Sequence, residues 1–309
     1  MNDQSINQSI NQSINQSINQ SINQSINQSI NEPIPVLKLR HGNFKLLPHD
    51  LISFWAKEYG EWSELEVMLF GKLLDPHANV IEVGSNQGMH AVPIAQFIAK
   101  GKLFCFEPQR IVFQHLCCNI TLNNLLNVYC YNQGVSDECA NTEIEASDYQ
   151  TDWNYGSFSI DKGFSTEGEF AGEVHRETIS LITLDSHPEI QKLTSLRLLK
   201  IDAEGFDLKV LAGAKQTIAK HKPVIFIEVH SDSIISTKRY LESIDYCCYW
   251  FVSNRYQKNN FFENSKEIKG LDTNFVCFHR TVVENNGVPD YLVAVNEATL
   301  DRVPIMQLG

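Results

Sequence analysis

One short stretch of this chain constrains its fold more than any other. Residues 80–88 read Val-Ile-Glu-Val-Gly-Ser-Asn-Gln-Gly, an apolar strand that enters a glycine-hinged turn, and an apolar helical pattern follows. A strand that ends in Gly-x-x-x-Gly lets the backbone pass close to a ligand, because glycine has no side chain and tolerates positive φ. Nineteen residues after Gly88, the apolar strand 102–106 delivers Glu107. The ribose hydroxyls of a nucleotide need an acceptor at this point.

The spacing of the glycines separates two classes of ligand. Dinucleotide folds use Gly-x-Gly-x-x-Gly, in which the second glycine makes room for a pyrophosphate. That position is Asn86 here. Glu82, just before the first glycine, would repel a phosphate but suits the cationic amino and sulfonium groups of S-adenosylmethionine. The pattern favours a methyl donor over NAD, and a purely structural turn stays open. The candidate cofactor-binding residues are Glu82, Gly84, Ser85, Asn86, Gly88 and Glu107.

Strand and helix patterns alternate from residue 80 onward. This alternation predicts an α/β fold with a doubly wound, mostly parallel, seven-stranded Rossmann-like sheet and helices on both faces. The strands are predicted near 80–84, 102–106, 127–131, 197–202, 224–229, 247–252 and 274–279. The helices are predicted near 88–99, 110–123, 207–220 and 234–244.

The segments around this domain differ from it in composition. Residues 4–31 are seven copies of Gln-Ser-Ile-Asn. Isoleucine at every fourth position drifts by about 40° per repeat around a helix and forms no single apolar stripe. We therefore predict a disordered leader. The predicted organisation is a leader over 1–31, a linker and helical cap over 32–75, the α/β domain over 76–280 with a polar insertion at 137–180, and a C-terminal arm over 281–309.

Charge and cysteine usage exclude several partners. The 309 residues carry a formal net charge of −12, which argues against nucleic acid or an anionic membrane as the main partner. No run of 18 apolar residues is present to span a membrane. The eight cysteines contain no Cys-x-x-Cys, so buried thiols in a reducing cytoplasm explain them better than a structural zinc site.

Several motifs together resemble one family, the FkbM-type methyltransferases, over about residues 79–280. The residues that carry the resemblance are Glu82 to Gly88, Phe106-Glu107-Pro108, Leu116 to Asn124, Gly134 to Asp137, Leu184-Asp185, Leu199 to Gly205 and Pro223 to Glu228. The sharpest marker is Lys-Ile-Asp-x-Glu-Gly, at 200–205. The resemblance implies the class I fold of S-adenosylmethionine-dependent enzymes. It also implies methyl transfer, usually to a hydroxyl of a sugar, polyketide or other natural product, and leaves the acceptor unnamed.

Four polar residues at predicted strand ends are candidates for the chemistry: Asp202, Glu204, Glu228 and His230. Methyl transfer to an alcohol needs alignment and a base that takes the hydroxyl proton, and the sequence does not choose among the four. Carboxylates and imidazole also suit a divalent metal, although no spacing motif requires one. As a structural alternative, Asp202 and Glu204 cap the helix that starts near Asp207, and Lys200 neutralises them.

Ser136 and Asp137, after the third strand, are predicted to meet the adenine edge, with an ordinary polar turn as the alternative. Three function classes follow. The leading one is an O-methyltransferase with a small-molecule hydroxyl acceptor as its partner. The second is an NAD-dependent dehydrogenase or epimerase, which Asn86 and the absence of Tyr-x-x-x-Lys disfavour. The third is a non-catalytic donor-binding protein, against which the acidic residues argue.

Overall fold

The structure, a computed structural model, describes residues 34–285, 287–300 and 303–305. The predicted leader lies outside the described residues. The described chain begins with an antiparallel hairpin of β1 (Val36–Leu39) and β2 (Gly42–Lys45), where a linker was predicted. Helices α1 (Leu51–Tyr59) and α2 (Glu64–Leu73) follow. Asp50 caps α1 by accepting the Ser53 N–H, so a sequence of predominantly apolar residues begins its helix there.

The main sheet has eight described strands. They are β3 (Val80–Val83), β4 (Leu103–Phe106), β5 (Val128–Tyr131), β9 (Leu198–Ile201), β10 (Val224–Glu228), β11 (Tyr246–Asn254), β12 (Leu271–His279) and β13 (Val293–Ala294). Their order is β13-β11-β12-β10-β9-β3-β4-β5. The five strands from β10 to β5 are parallel, and the other three run antiparallel to their neighbours. The predicted fold class is confirmed; the two-residue β13 adds an eighth strand to the predicted seven.

Helices cover both faces of this sheet. After α2 they are α3 (Ala91–Phe97), α4 (Arg110–Leu122), α5 (Pro188–Gln191), α6 (Asp207–Ala212), α7 (Lys215–His221), α8 (Ile234–Ser243), α9 (Arg280–Glu284) and α10 (Glu297–Leu300). One apolar core joins one face of the sheet to α2, α3 and α4, and a second joins the opposite face to α6, α7 and α8. Both faces of the parallel strands are therefore buried, as their almost continuous apolar sequences require.

The helix predicted over 207–220 is two helices, α6 and α7. Gly213 separates them, and a Cβ at this position would stand 2.0 Å from the carbonyl oxygen of Ser136. The chain at Ser136 thus packs directly against the glycine backbone. The spacing of apolar residues indicates both helices, but it does not indicate that a distant carbonyl approaches Gly213. The sequence analysis therefore missed the break between α6 and α7.

The polar segment between β5 and β9 forms a small sheet of its own. Strands β6 (Gly134–Val135), β7 (Ala140–Ser147) and β8 (Val174–Ile182) pair in the order β6-β8-β7. The loop from β7 to β8 packs an aromatic cluster that includes Tyr155 and Phe164. Two backbone hydrogen bonds join this loop to the start of α1, from Leu51 N–H to Trp153 O and from Trp153 N–H to His49 O.

Candidate functional site

A cavity of about 410 Å³ opens at the carboxyl ends of the parallel strands. The ends of β3, β4, β9 and β10 form its floor. The α1–α2 segment, the β7–β8 loop, Arg255 after β11 and the strand β12 complete its walls. Its volume is in the usual range for a small-molecule site. Ligands of open parallel sheets bind beyond the carboxyl edge. The cavity is therefore the first place to look for the predicted site residues.

Glu107 follows β4 and is buried at the cavity wall, 3% exposed. Its two carboxylate oxygens accept the backbone N–H groups of Asn86 at 3.0 Å and of Gln109 at 2.9 Å. Burial raises the pKa of Glu107 to about 7, in spite of these hydrogen bonds. A carboxylate oxygen has more than one acceptor site, so each remains able to accept a ligand hydroxyl. This geometry suits the two adjacent hydroxyls of a ribose.

The donor loop, residues 82–90, turns through two glycines with different roles. Gly84 has φ 77°, and a Cβ there would lie 1.8 Å from the carbonyl oxygen of Asp202. The absence of a side chain at Gly84 therefore makes room for the backbone of Asp202, the residue that follows β9. The sequence analysis had predicted that it makes room for a ligand. Gly88, with φ 90°, packs near Leu116 of α4 and does not line the cavity. Glu82, Gly84, Ser85 and Asn86 do line it.

Gln87 anchors the donor loop, and sequence reasoning gave it no role. Its fully buried amide accepts the Leu47 N–H at 2.9 Å and donates to Asp50 at 2.9 Å. The backbone carbonyl of Gln87 accepts a hydrogen bond from the side-chain amide of Asn119 at 2.8 Å. Asp50 also accepts the Tyr155 N–H at 3.2 Å, and burial raises the pKa of Asp50 to about 6. One buried network thus joins the loop to the α1 cap, to α4 and to the β7–β8 loop.

Ionisable residues of neighbouring strands lie on the same face of the sheet. Glu82 of β3 is opposite Lys200 of β9, and Glu228 of β10 is opposite Asn274 of β12. Lys200 Nζ lies 3.2 Å from Asp202 Oδ2 and 3.6 Å from Glu82 Oε1. Burial alone would lower the pKa of Lys200, but the nearby carboxylates hold it above its ordinary value. The Lys200 ammonium in turn outweighs burial and lowers the pKa of Asp202, so Asp202 is ionised.

The acid cluster, Asp202, Glu204, Glu228 and His230, is brought together at the cavity. His230 Nε2 lies 3.2 Å from Glu204 Oε2 and 3.6 Å from Glu228 Oε2. Burial raises the pKa of Glu204 to about 7, and the hydrogen bond that His230 donates to Glu204 raises the pKa of His230 to about 9. Burial and the charge of Asp202 raise the pKa of Glu228 well above its usual range. These groups therefore titrate together, and Glu204 changes its charge near neutral pH.

Ligand atoms of Glu204, Glu228 and His230 all lie within 4.8 Å of one another, a spacing compatible with a shared divalent ion.

The structural alternative, in which Asp202 and Glu204 cap the helix that starts near Asp207, names residues other than the one that caps it. Asp207 accepts the N–H groups of Ala203 and Gly205, so this carboxylate closes the turn before α6. Asp202 and Glu204 are left free to face the cavity.

The structure does not bring Ser136 and Asp137 into the cavity. Ser136 is buried, its hydroxyl donates to Asp137, and Asp137 is exposed. Gln133 and Gly134 border the cavity in this region instead. The sequence also missed the wall opposite Glu107, because its residues come from distant segments without a motif. The residues of that wall include Trp62, Ser63, Glu66, Arg255, Leu271, Asp272 and Asn274.

The doubly wound sheet, its carboxyl-edge cavity and the buried carboxylate after β4 define the class of the protein, an α/β protein with the class I methyltransferase fold. The family model for the methyltransferase FkbM domain matches residues 82–247, more than half of the chain. The chain belongs to this family, as the motifs predicted.

Similar proteins include 2-O-methyltransferase NoeI of Sinorhizobium fredii, 27% identical over 152 residues, which are 47% of this chain and 60% of that protein. Among solved structures, a methyltransferase FkbM from Methylobacillus flagellatus has a TM-score of 0.42 and 16% identity, over 68% of this chain and 48% of that chain. TYW2 of M. jannaschii in complex with AdoMet has a TM-score of 0.40 and 14% identity, over 79% and 84%. The match thus spans about 60% of the length of NoeI and about half of the FkbM chain.

No helix in the described part of the chain has the length and apolar character needed to cross a membrane.

Proposed function

We propose that this protein is an S-adenosylmethionine-dependent methyltransferase that acts on a hydroxyl group of a small molecule, sugar or natural product. The observation that carries the proposal is that Glu107 and the acid cluster face one cavity. A ribose-binding carboxylate and a set of candidate bases are what a methyl donor and an alcohol require from one site. Membership of the FkbM family supports the reaction, and the name of NoeI supports oxygen as the atom methylated.

The donor half of the site consists of Glu107 and the donor loop. S-adenosylmethionine, when bound, supplies a methyl group activated by the positive sulfonium. Glu107 would accept its ribose hydroxyls, and Glu82 at the cavity floor would favour its cationic groups. Asn86 stands where a dinucleotide site needs glycine, which disfavours NAD.

The acceptor half needs a group that orients the hydroxyl and takes its proton as the new C–O bond forms. Asp202 is ionised and its side chain is 37% exposed to the cavity, so it is available for a hydroxyl. His230 lies 3.2 Å from Glu204, and Glu204, with a pKa of about 7, can take up a proton near neutral pH. We assign Asp202 as the residue that contacts the hydroxyl, with the Glu204–His230 pair as the store for its proton.

A divalent metal is the alternative way to acidify the hydroxyl, and Glu204, Glu228 and His230 are the residues that would hold it. An imidazole and two carboxylates are suitable ligands, but the Glu204–His230 contact already satisfies both groups as an ion pair. Within the described residues, the buried Glu228 Oε2 has no hydrogen-bond partner, and a metal held here would coordinate it.

The test is a donor-turnover screen of the full chain against sugars, polyketides and other hydroxyl compounds, with and without EDTA. We expect release of S-adenosylhomocysteine with at least one hydroxyl acceptor, and activity that survives EDTA. Activity lost in EDTA and restored by Mg²⁺ would replace the protein base with a metal. Hydride transfer with NAD would contradict the proposal, and donor binding without turnover on any acceptor would favour a non-catalytic binding protein.

A further inference from the structure

Three buried polar side chains line the cavity beside the acid cluster and form an inner polar pocket. They are Glu66 of α2, His90 before α3 and Asn274 of β12, which are 4%, 7% and 3% exposed. Glu66 Oε1 accepts the Asn274 amide at 2.8 Å, and Glu66 Oε2 lies 3.5 Å from His90 Nε2. Within the described residues, that buried imidazole nitrogen has no hydrogen-bond partner. A buried polar atom without a partner is uncommon in a folded protein, and a ligand group in the cavity would supply one.

Strand pairing places this pocket at the acceptor end of the cavity. Asn274 is directly opposite Glu228 of the acid cluster, on the neighbouring strand β10. In the strand order, β12 is four strands from β4, the strand that Glu107 follows. Neighbouring strands are about 4.8 Å apart, so Asn274 and Glu107 are separated by roughly 19 Å of sheet. The pocket is therefore far from the proposed ribose site and next to the candidate bases.

His90 is the last residue of the donor loop, but its ring packs over β10. The ring lies edge-on against Phe70 of α2, with the ring centroids 5.6 Å apart. Phe70 packs in the same way on Phe226 of β10, at 5.0 Å. Phe226 and Glu228 are two residues apart on this strand and so lie on the same face of the sheet. Apolar contacts thus hold His90 over the strand that carries Glu228.

The inner polar pocket offers uncharged hydrogen-bonding groups. Burial, reinforced by Asp272, raises the pKa of Glu66 well above its usual range, which favours the protonated acid. Burial lowers the pKa of His90 to about 3, so its imidazole is neutral. A carboxylic acid, an amide and a neutral imidazole each donate and accept hydrogen bonds, as an alcohol hydroxyl does. A hydroxyl therefore fits this pocket without the burial of a charge.

Lys200 and Arg255 also line the cavity, but each already pairs with a carboxylate. Lys200 Nζ lies 3.2 Å from Asp202 Oδ2, and Arg255 Nε lies 2.8 Å from Asp272 Oδ1. A phosphate or carboxylate on an acceptor would have to compete with these two carboxylates for a counter-ion. The charges around the pocket therefore favour an uncharged acceptor.

We infer that the inner polar pocket binds a second, uncharged hydroxyl of the acceptor, so that the protein selects polyols and recognises them through Glu66 and Asn274. Asp202 after β9 would hold the reacting hydroxyl, and β12 is two strands further along the sheet. Two strand spacings are about 10 Å, which one sugar-sized ring would bridge between side chains that reach in from both ends. The inference rests on the proposed function and narrows its acceptor class to residues outside the family match at 82–247.

Two variants of Glu66 separate hydrogen bonding from charge. Glu66→Met keeps a side chain of similar length without polar ends, whereas Glu66→Gln restores an uncharged group that donates and accepts. The first probes are methyl glycosides of the hexoses, with release of S-adenosylhomocysteine as the readout. We expect kcat/KM for a methylated glycoside to fall about tenfold in Glu66→Met and Glu66→Gln to recover most of this loss. Asn274→Ala, which removes the amide that positions Glu66, should lose about as much as Glu66→Met.

Monodeoxy analogues of the same glycoside locate the second hydroxyl. In the wild type, removal of one hydroxyl other than the methylated one should lower kcat/KM by about tenfold. In Glu66→Met the same removal should have little further effect, because the hydrogen bond is already lost. This coupling between one side chain and one ligand hydroxyl is a result that a general disturbance of the fold would not produce.

Glu64→Met is the matched control. Glu64 is on the same helix, its carboxylate lies 2.7 Å from His41, and it does not line the cavity. This variant should methylate the glycoside as the wild type does. Calorimetry with S-adenosylhomocysteine checks the donor half, and each variant should bind this ligand with the affinity of the wild type.

An equal loss in Glu66→Met for every analogue would overturn the inference, as would a Glu66→Gln protein as impaired as Glu66→Met. A Glu66→Met protein with weaker binding of S-adenosylhomocysteine but unchanged binding of 5′-methylthioadenosine, the same nucleoside thioether without the amino-acid end, would place the pocket in the donor half and overturn it too. If the donor-turnover screen finds only acceptors with a single hydroxyl, the inference fails and the proposed function stands. If the wild type methylates no hydroxyl compound, both fail together.

Discussion

The two halves of the cavity are built in different ways. The donor half consists of one loop and the residue after β4, and much of it is backbone: Glu107 holds two N–H groups, and Gln87 ties the loop to three other segments. The acceptor half joins the acid cluster to a wall of side chains from the α1–α2 segment, from Arg255 after β11 and from β12. There Arg255 lies 4.9 Å from the Trp62 ring and pairs with Asp272 at 2.8 Å.

A short motif encodes the donor half, whereas the wall of the acceptor half is encoded by segments far apart in the sequence. The donor half lies within residues 82–247 of the family match, whereas Trp62, Arg255 and Asp272 lie outside it. A backbone site depends on local turns, which a short motif can specify. A side-chain site depends on distant segments, which no short motif specifies. Substitutions in the donor half should therefore disturb fold or donor binding, and those in the acceptor half should disturb the acceptor alone.

The largest effect is expected at Gly84. In Gly84→Ala, the new Cβ would lie 1.8 Å from the Asp202 carbonyl oxygen. The backbone at this position also has a φ of 77°, which alanine disfavours. We expect the free energy of unfolding to fall by about 3 kcal/mol or more, measured by urea denaturation.

Gly205→Ala is the control for Gly84→Ala. Gly205 also has positive φ, at 89°, but a Cβ there meets nothing closer than Ser159 Oγ at 3.9 Å. We expect it to lose only the backbone strain, about 1 to 2 kcal/mol. Equal losses for the two variants would show that the contact with the Asp202 carbonyl does not matter.

The second prediction concerns Asp202. Asp202→Asn keeps the shape of the side chain and removes its charge. Lys200 keeps an ion-pair partner in this variant, because its Nζ also lies 3.6 Å from Glu82 Oε1. We expect turnover to fall by about a hundredfold, because a general base is lost, with donor affinity close to that of the wild type. Single-turnover rates and calorimetry measure the two quantities. If Asp202, Glu204, Glu228 and His230 each tolerate substitution with full turnover, the site acts by positioning alone.

The third prediction uses the raised pKa of Glu107, about 7 in the free protein. Ribose hydroxyls donate to the ionised carboxylate, so binding lowers this pKa and is strongest above pH 7. We expect the affinity for 5′-methylthioadenosine to be flat above pH 7 and to weaken below it, approaching about tenfold per pH unit. Glu107→Gln should lose this dependence. If the affinity of the wild type stays constant from pH 8 to pH 6, Glu107 does not bind the ribose hydroxyls.

The smallest effect is expected at Leu271, which lines the acceptor half and is 48% exposed. Leu271→Ala removes apolar contact area without opening the core, so the fold should be unaffected. With a hydroxyl acceptor in hand, we expect KM for the acceptor to rise by about five- to tenfold, since a side chain of this size contributes about 1 to 3 kcal/mol when fully buried. Donor affinity should not change. A change in donor affinity would contradict the assignment of Leu271 to the acceptor half alone.

The parallel sheet was predictable because apolar strands and glycine turns carry strong local signals. Glu107 and the acid cluster were also predictable, since residues after parallel strands converge at one edge. The Asp202 carbonyl against Gly84, and the Ser136 carbonyl against Gly213, were not predictable, because both join residues more than 70 positions apart. The same holds for Glu66 and Asn274, which are 208 positions apart in the sequence and 2.8 Å apart in the structure.

We propose above all that the cavity binds a methyl donor by its ribose at Glu107. The most direct test is calorimetry of S-adenosylhomocysteine with the wild type and with Glu107→Gln, and of NAD with the wild type. The account predicts that the wild type binds S-adenosylhomocysteine and not NAD, and that Glu107→Gln weakens this binding by about 2 to 3 kcal/mol. Binding of NAD without S-adenosylhomocysteine, or an undiminished affinity in a folded Glu107→Gln protein, would contradict it.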